Sequence, residues 1–124
     1  MATTKTTTIS EIGGILIVDF TADASVEAHV TGNASGTLYL VEIDNTANAS
    51  DTVYLRIKDA QSAGAAGTLV PTWMFKAPPA AKACYSFPEG QPYGTGLTMW
   101  CTSSNAEENT SAPSSAVIVK LIAS

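Results

Sequence analysis

Charge is scarce in this chain, and positive charge most of all. Of its 124 residues only six are Lys or Arg, against eleven Asp or Glu, and charged side chains make up 14% of the sequence. No basic cluster occurs anywhere, so nothing is present to neutralise a run of phosphates, and a nucleic-acid partner is not expected. One histidine, His29, and two cysteines, Cys84 and Cys101, are too few for a structural zinc site. Long hydrophobic runs are missing as well. "GGILIVDF" is far too short to cross a bilayer, and the opening "MATTKTTTIS" lacks the apolar centre of a signal peptide. Neither a membrane nor a standard export route is expected, and a reduced, cytosolic setting follows as the default for the thiols.

What is present is a substantial apolar fraction, 45%, accompanied by many Ala, Thr, Ser and Gly. A chain of this size buries ~65% of the surface its unfolded form exposes, enough for one domain without disulfides or metal. The first residues, 1–8, are Thr-rich with almost nothing to bury, and read as a flexible N-terminal arm. From residue 9 to 124 the pattern is that of short strands. Ile15 to Val18 form a buried run, and "SVEAHVTG" alternates weakly, as an outer strand would. "TLYLVEID" and "TVYLRIKD" flank "DNTANAS", whose Asn and Asp suit tight turns. The second of these has the cleanest period of two, with Val53, Leu55 and Ile57 opposed to Tyr54, Arg56 and Lys58. Pairing the two strands across the Asn-rich turn would bring Glu42 and Asp44 near Arg56 and Lys58.

Downstream, "PTWMFKAPP" is closed by two prolines and reads as an edge strand. "AKACYSF" and "TGLTMWCTS" flank a Gly- and Pro-rich stretch, and "AVIVKLIA" supplies a final strand. About eight strands, turn signals roughly every ten residues and no amphipathic helix predict a single antiparallel β-sandwich, immunoglobulin-like or jelly-roll.

The stretch "FPEGQPYGTG", residues 87–96, lies between two predicted strands. A phosphate-binding loop would open a helix and carry a cation. Here Leu97 onward alternates as a strand does, and the loop holds no Lys or Arg. The loop is therefore read as a structural corner. Gly90, Gly94 and Gly96 permit positive φ, and the exposed tip around Gln91 and Tyr93 is a candidate protein contact.

The remaining candidates are weighed against simpler roles. His29 has no GxSxG serine to serve and reads as an exposed strand residue. Asp44, Asn45, Asn48 and Asp51 lack the EF-hand pattern and read as an Asx turn rather than a calcium site. Glu107 and Glu108 are solvated loop charges. Trp73 and Trp100 suit core or interface use better than a sugar-stacking platform. Cys84 and Cys101 would lie opposite each other if their strands paired, so a disulfide is geometrically open, although two reduced thiols suit the setting. The sequons at Asn33, Asn48 and Asn109 are expected to be unmodified without export. No catalytic residues, cofactor site or metal site emerge, and an enzyme is not expected.

The order "EIDN", a short turn, "VYLRIKDA", a Gly-containing loop, "PEGQPYGTGLT" and a closing "AVIVKLI" resembles small β-sandwich virion proteins of tailed bacteriophages. The resemblance spans about residues 37–122. It implies a non-enzymatic structural role in a virion assembled in the host cytoplasm, as a capsid decoration (cement) protein or another head or tail component. The implied partners are the major capsid protein or other virion subunits, and copies of itself, a trimer being one candidate state. The arm residues Thr6, Thr7 and Thr8 join Gln91 and Tyr93 as expected contacts. A carbohydrate-binding or adhesin module of a tail or fibre is the alternative.

Overall fold

The computed structural model of the chain describes residues 3–7, 14–62, 70–106 and 111–124, the first of these as backbone only. Among the described residues there are eight strands and no helix: β1 (Thr3–Thr7), β2 (Ile15–Ala22), β3 (Gly36–Asp44), β4 (Val53–Asp59), β5 (Trp73–Ala77), β6 (Lys82–Tyr93), β7 (Leu97–Thr102) and β8 (Val117–Ala123). They form a five-stranded sheet, β1-β2-β8-β3-β6, and a three-stranded sheet, β5-β4-β7. Every pairing is antiparallel. The β-sandwich expected from the alternating pattern is the fold.

The partners nest. β4 pairs with β5, β3 with β6 and β2 with β8. Between β2 and β3 the chain runs beside β7, where Glu27 and Met99 exchange backbone hydrogen bonds of 2.8 and 2.9 Å. Val30 and Cys101 extend that contact: the Val30 amide donates to the Leu97 carbonyl at 2.8 Å and the Cys101 amide to the Asp23 carbonyl at 2.7 Å. The chain thus behaves as one long hairpin, bent between β4 and β5, whose paired arms fall alternately in the two sheets. That is jelly-roll order. An immunoglobulin sandwich would place the last strand beside the one before it; here β8 instead lies between β2 and β3.

The core forms where the inner faces meet. Ile17, Val41, Ile43, Val119 and Leu121 come from the larger sheet, and Val53, Leu55, Ile57, Leu97 and Met99 from the smaller one, all essentially without exposed surface. Burial of each such side chain is worth about 1.5–3 kcal/mol. At one end, buried Asn45 and Asn48 tie three loops together. Asn45 Nδ2 donates to the carbonyls of Asp51 and Pro78, and Asn48 Nδ2 donates to Asn45 Oδ1 and the Ser115 carbonyl. The Ser115 amide donates back to Asn48 Oδ1. These amides do the work of backbone partners where the chain turns.

Four expectations are corrected. Residues Thr3–Thr7 are not a flexible arm; they form β1, in register with Ile15 to Asp19 of β2. The segment "SVEAHVTG" is a connection with one isolated bridge rather than a strand. β3 and β4 do not pair across the Asn-rich turn, because they belong to opposite sheets. Arg56 consequently does not face Glu42 or Asp44. It lies on the outer face of the smaller sheet, yet it is 0% exposed. Its Nε donates to Thr102 Oγ1 at 2.9 Å, and its Nη2 donates to the carbonyls of Ser104 (2.7 Å) and Ala106.

Both faces of β4 are therefore covered, and side chains on each should matter. Leu55→Ala is expected to destabilise the domain by about 2–4 kcal/mol through its cavity, and Arg56→Ala by a comparable ~2–4 kcal/mol through lost packing and charged hydrogen bonds. Urea titration of the two variants tests this. A cost near zero for Arg56→Ala would mean that its face of β4 is open to solvent.

Candidate protein-contact site

β6 is one edge of the larger sheet, opposite β1, and β5 is one edge of the smaller sheet, opposite β7. The phase of the β6 ladder follows from one bond. The Asn45 amide donates to the Ala81 carbonyl at 2.9 Å, just beyond the Asp44–Lys82 pair. Hydrogen-bonded and non-bonded pairs alternate in an antiparallel ladder. Ala83 and Tyr85 therefore turn their amides and carbonyls toward β3, while Lys82, Cys84 and Ser86 turn theirs outward. Past the irregularity opposite Tyr39, Thr37 faces Pro92. Thr37 bonds to Ser124 on its other side, so the outward position on β6 falls to Pro92, which has no amide to leave unpaired. The open donors and acceptors are thus concentrated at Lys82–Ser86.

On the same flank the inner faces of β5 and β6 meet in a half-buried aromatic group. The Phe75 ring lies 5.2 Å from Tyr85 and 5.9 Å from Phe87, and Trp73 packs against the same core. The Tyr85 hydroxyl donates to the Lys76 carbonyl and so links the two edges. Beside it, Ser86 to Gly90, Glu89 among them, line a hollow of about 440 Å³.

A second surface is the outer face of the larger sheet. Register places Leu16, Ile122 and Leu40 in one row across β2, β8 and β3, with Ser86 beyond them. Phe20, 54% exposed, Tyr39 and the half-buried Ile118 add to this apolar surface, which Lys120 and Glu42 interrupt. Antiparallel sheets usually turn polar side chains to water on this side.

The predicted contact residues separate. Tyr93 is not an exposed tip. It ends β6, is 4% exposed, and its hydroxyl bonds to Thr31 Oγ1 and the Ser124 carbonyl, closing one end of the sandwich. Gln91 is half-buried in the same strand. The quoted stretch is strand as far as Tyr93, and only Gly94 to Gly96 cross to the other sheet. Of its glycines, Gly90 alone has positive φ, +79°, and a Cβ there would lie 2.1 Å from Thr37 Cγ2. Gly96 is confined by the Ala60 carbonyl at 2.9 Å, whereas Gly94 has open space around it. Thr6 and Thr7 pair with Leu16 and Ile15 in β1, and Thr8 lies outside the described residues.

The crossing is held by Asp59. Its carboxylate accepts from the amides of Gly94, Thr95 and Gly96 at 2.7–3.1 Å. Partial burial pushes its pKa up, but the three amides outweigh that and hold it below the ordinary carboxylate value. A nest that fits an anion is filled by the protein's own side chain, which neither the loop sequence nor the strand pattern around Asp59 revealed.

The other candidates also find their places. His29 is half-buried with φ +53° in the connection beside β7, not on an exposed strand, and its Nδ1 has no hydrogen-bond partner. Asp44 and Asp51 accept from Thr46 and Ser114 amides, and with Asn45 and Asn48 they form turns. Among the described residues no three His, Cys, Asp or Glu side chains gather as a metal site would require. Cys84 and Cys101 are free and lie in different sheets, so the disulfide geometry does not arise; Cys84 is exposed, and burial pushes the Cys101 thiol well up. Trp73 faces the core, while Trp100 is buried on the other side of the smaller sheet opposite Arg56. They share no face on which a sugar could stack. Glu107, Glu108 and Asn109 lie outside the described residues.

One buried acid was missed by the sequence reading. Asp19 has no exposed surface; Oδ1 accepts from the Thr21 amide at 3.0 Å and Oδ2 has no partner. Burial raises its pKa, opposed by the Thr21 bond and reinforced by Glu27 and Asp23. No protein-family model matches the chain, and no curated protein or solved structure matches it either.

Tyr93→Ala should destabilise the domain by about 3–5 kcal/mol, and Gly96→Val should lower its melting temperature far more than Gly94→Val; thermal denaturation of the three variants checks both. A raised folded-state pKa means that Asp19 opposes folding once pH exceeds the ordinary value of 3.8. Asp19→Asn should therefore stabilise at neutral pH and lose that advantage in acid below that value. The difference between parent and variant in urea midpoints across this range isolates Asp19 from Asp44, Asp51 and Asp59. An advantage that persists in acid would assign the effect to packing instead.

Proposed function

We propose that this protein is a non-enzymatic structural component of a tailed-phage virion, a decoration subunit that docks on the head shell and reinforces it. The observation that carries the reading is the apolar outer face of the larger sheet. Leu16, Leu40 and Ile122 form a cross-strand row there and Phe20 stands clear of its neighbours. A cross-strand row of apolar side chains on a sheet face that could have been polar marks a place for another protein. The nested jelly-roll order supports the reading as a scaffold that virion proteins also use, and as fold alone it does not fix a function. The resemblance of its strand and turn order to small phage virion proteins is what suggests the reading. The arrangement of Trp73 and Trp100 on opposite faces of one sheet weighs against the sugar-binding alternative.

The test is co-expression with a major capsid protein encoded in the same genome, followed by density-gradient sedimentation of the assembled particles. The parent chain should travel with the particles. Phe20→Glu should fold normally, since the side chain is largely exposed, and remain at the top of the gradient. A parent chain that never sediments with particles, or a Phe20→Glu chain that does so equally well, would overturn the proposal.

A further inference from the structure

The geometry points to a two-fold dimer in which β6 of one copy pairs antiparallel with β6 of a second copy, centred on Cys84. This interface is distinct from the apolar sheet face and does not depend on the virion reading.

The argument begins with the open edge. Lys82, Cys84 and Ser86 direct their amides and carbonyls away from β3, and no described backbone group outside the strand bonds to them. Such an edge invites another strand. Its length is limited on both sides. The Ala80 amide is already donated to the Asn48 carbonyl, and Pro88 enters the irregular part of the ladder with no amide to give. Three alternate residues remain, an odd number with a middle member. A two-fold axis through Cys84 places Cys84 against its own copy, and Lys82 against Ser86 at each end. All three residues then sit at hydrogen-bonded positions of the new ladder.

Charge favours the same register. Lys82, whose Nζ lies 3.7 Å from Asp44 Oδ2 of its own chain, is kept away from its own copy and arrives at Ser86, beside the hollow that Glu89 helps to line. Sliding the axis by one residue toward Lys82 would bring the two lysines closer and leave Ser86 without a partner. The flank also carries the half-buried Phe75, Tyr85 and Phe87. A second copy of the same flank can cover these rings, whereas a solvated edge leaves them partly wet. The result would be one sheet of ten strands running through both copies, since each contributes the five of its larger sheet.

Cys84 supplies the readout, because it is exposed while Cys101 is buried. The experiment combines sedimentation equilibrium with a short bismaleimide cross-linker under reducing conditions. The parent chain should show a monomer–dimer equilibrium and give a Cys84–Cys84 cross-linked dimer. Ser86→Pro removes an outward amide and inserts a ring at the edge, so it should weaken dimerisation about tenfold or more without unfolding the domain. Lys82→Pro makes the same test from the other end of the edge if the first variant does not fold. A parent chain that stays monomeric up to about millimolar concentration would overturn the dimer. So would a dimer that the linker does not trap at Cys84, or one that the folded proline variants form as readily as the parent.

Discussion

A guanidinium with no exposed surface has to find its partners inside the protein, and Arg56 finds them in a way that organises the smaller sheet. Its side chain leaves β4 on the face turned away from the core, bonds to Thr102 on the neighbouring strand, and reaches the carbonyls of Ser104 and Ala106 beyond it. The chain leaving β7 is thereby folded back over the sheet. Trp100, opposite Arg56, is covered as well, and all six residues of β7 are buried. A three-stranded sheet would otherwise be thin protection for a sandwich core. Covering β7 and the middle of β4 on both faces gives that part of the sheet the burial of a central layer. Asp59 plays a related part at one end of the fold and the Asn45–Asn48 pair at the other, each replacing solvent for backbone groups that the turns leave unpaired.

With β7 and the middle of β4 covered on both sides, the outer face of the larger sheet and its β6 edge stand out as surfaces for partners. The larger sheet has an apolar outer face and a β6 edge whose open hydrogen-bonding groups are confined to Lys82–Ser86. These two surfaces adjoin at Ser86, which ends the Leu16–Ile122–Leu40 row and also lies on the edge. The face can be used while the edge is occupied, because one presents side chains perpendicular to the sheet and the other presents backbone in its plane.

The sandwich was legible because its inner faces follow a strict period of two. Val53, Leu55 and Ile57, like Val117, Val119 and Leu121, declare both strand and buried side at once. The edge character of β5 was also readable, from Pro78 and Pro79. What a period of two cannot tell is which sheet a strand joins. The assumption that neighbours in sequence pair in space placed β3 beside β4 and set Cys84 opposite Cys101, and both failed because β3 and β4, like β6 and β7, fall in opposite sheets. Arg56 was misplaced for a related reason, since a charged residue on the alternating face signals solvent only if nothing crosses over it. The candidate tip suffered most. Pro88, Gly90 and Pro92 read as a loop, yet an edge strand accommodates proline and a positive-φ glycine where the ladder is irregular. Tyr93 was therefore placed in water instead of under the end of the sandwich. The buried Asp19 left no signal, being one acid at the end of an apolar run.

The position of β8 bears on how the protein is made. It follows every other strand in the chain, yet it lies between β2 and β3, two strands that have no contact ladder with one another. On a ribosome, the larger sheet therefore has a vacant central place until Val117–Ala123 has emerged, and β2 can be held to β3 only loosely before then. Such non-local closure is slow compared with hairpin formation. During that interval the flanks of β2 and β3 that β8 later fills are the groups most open to pairing with another nascent chain, so the arrival of β8, the eighth of these strands to be made, ends that period of aggregation risk.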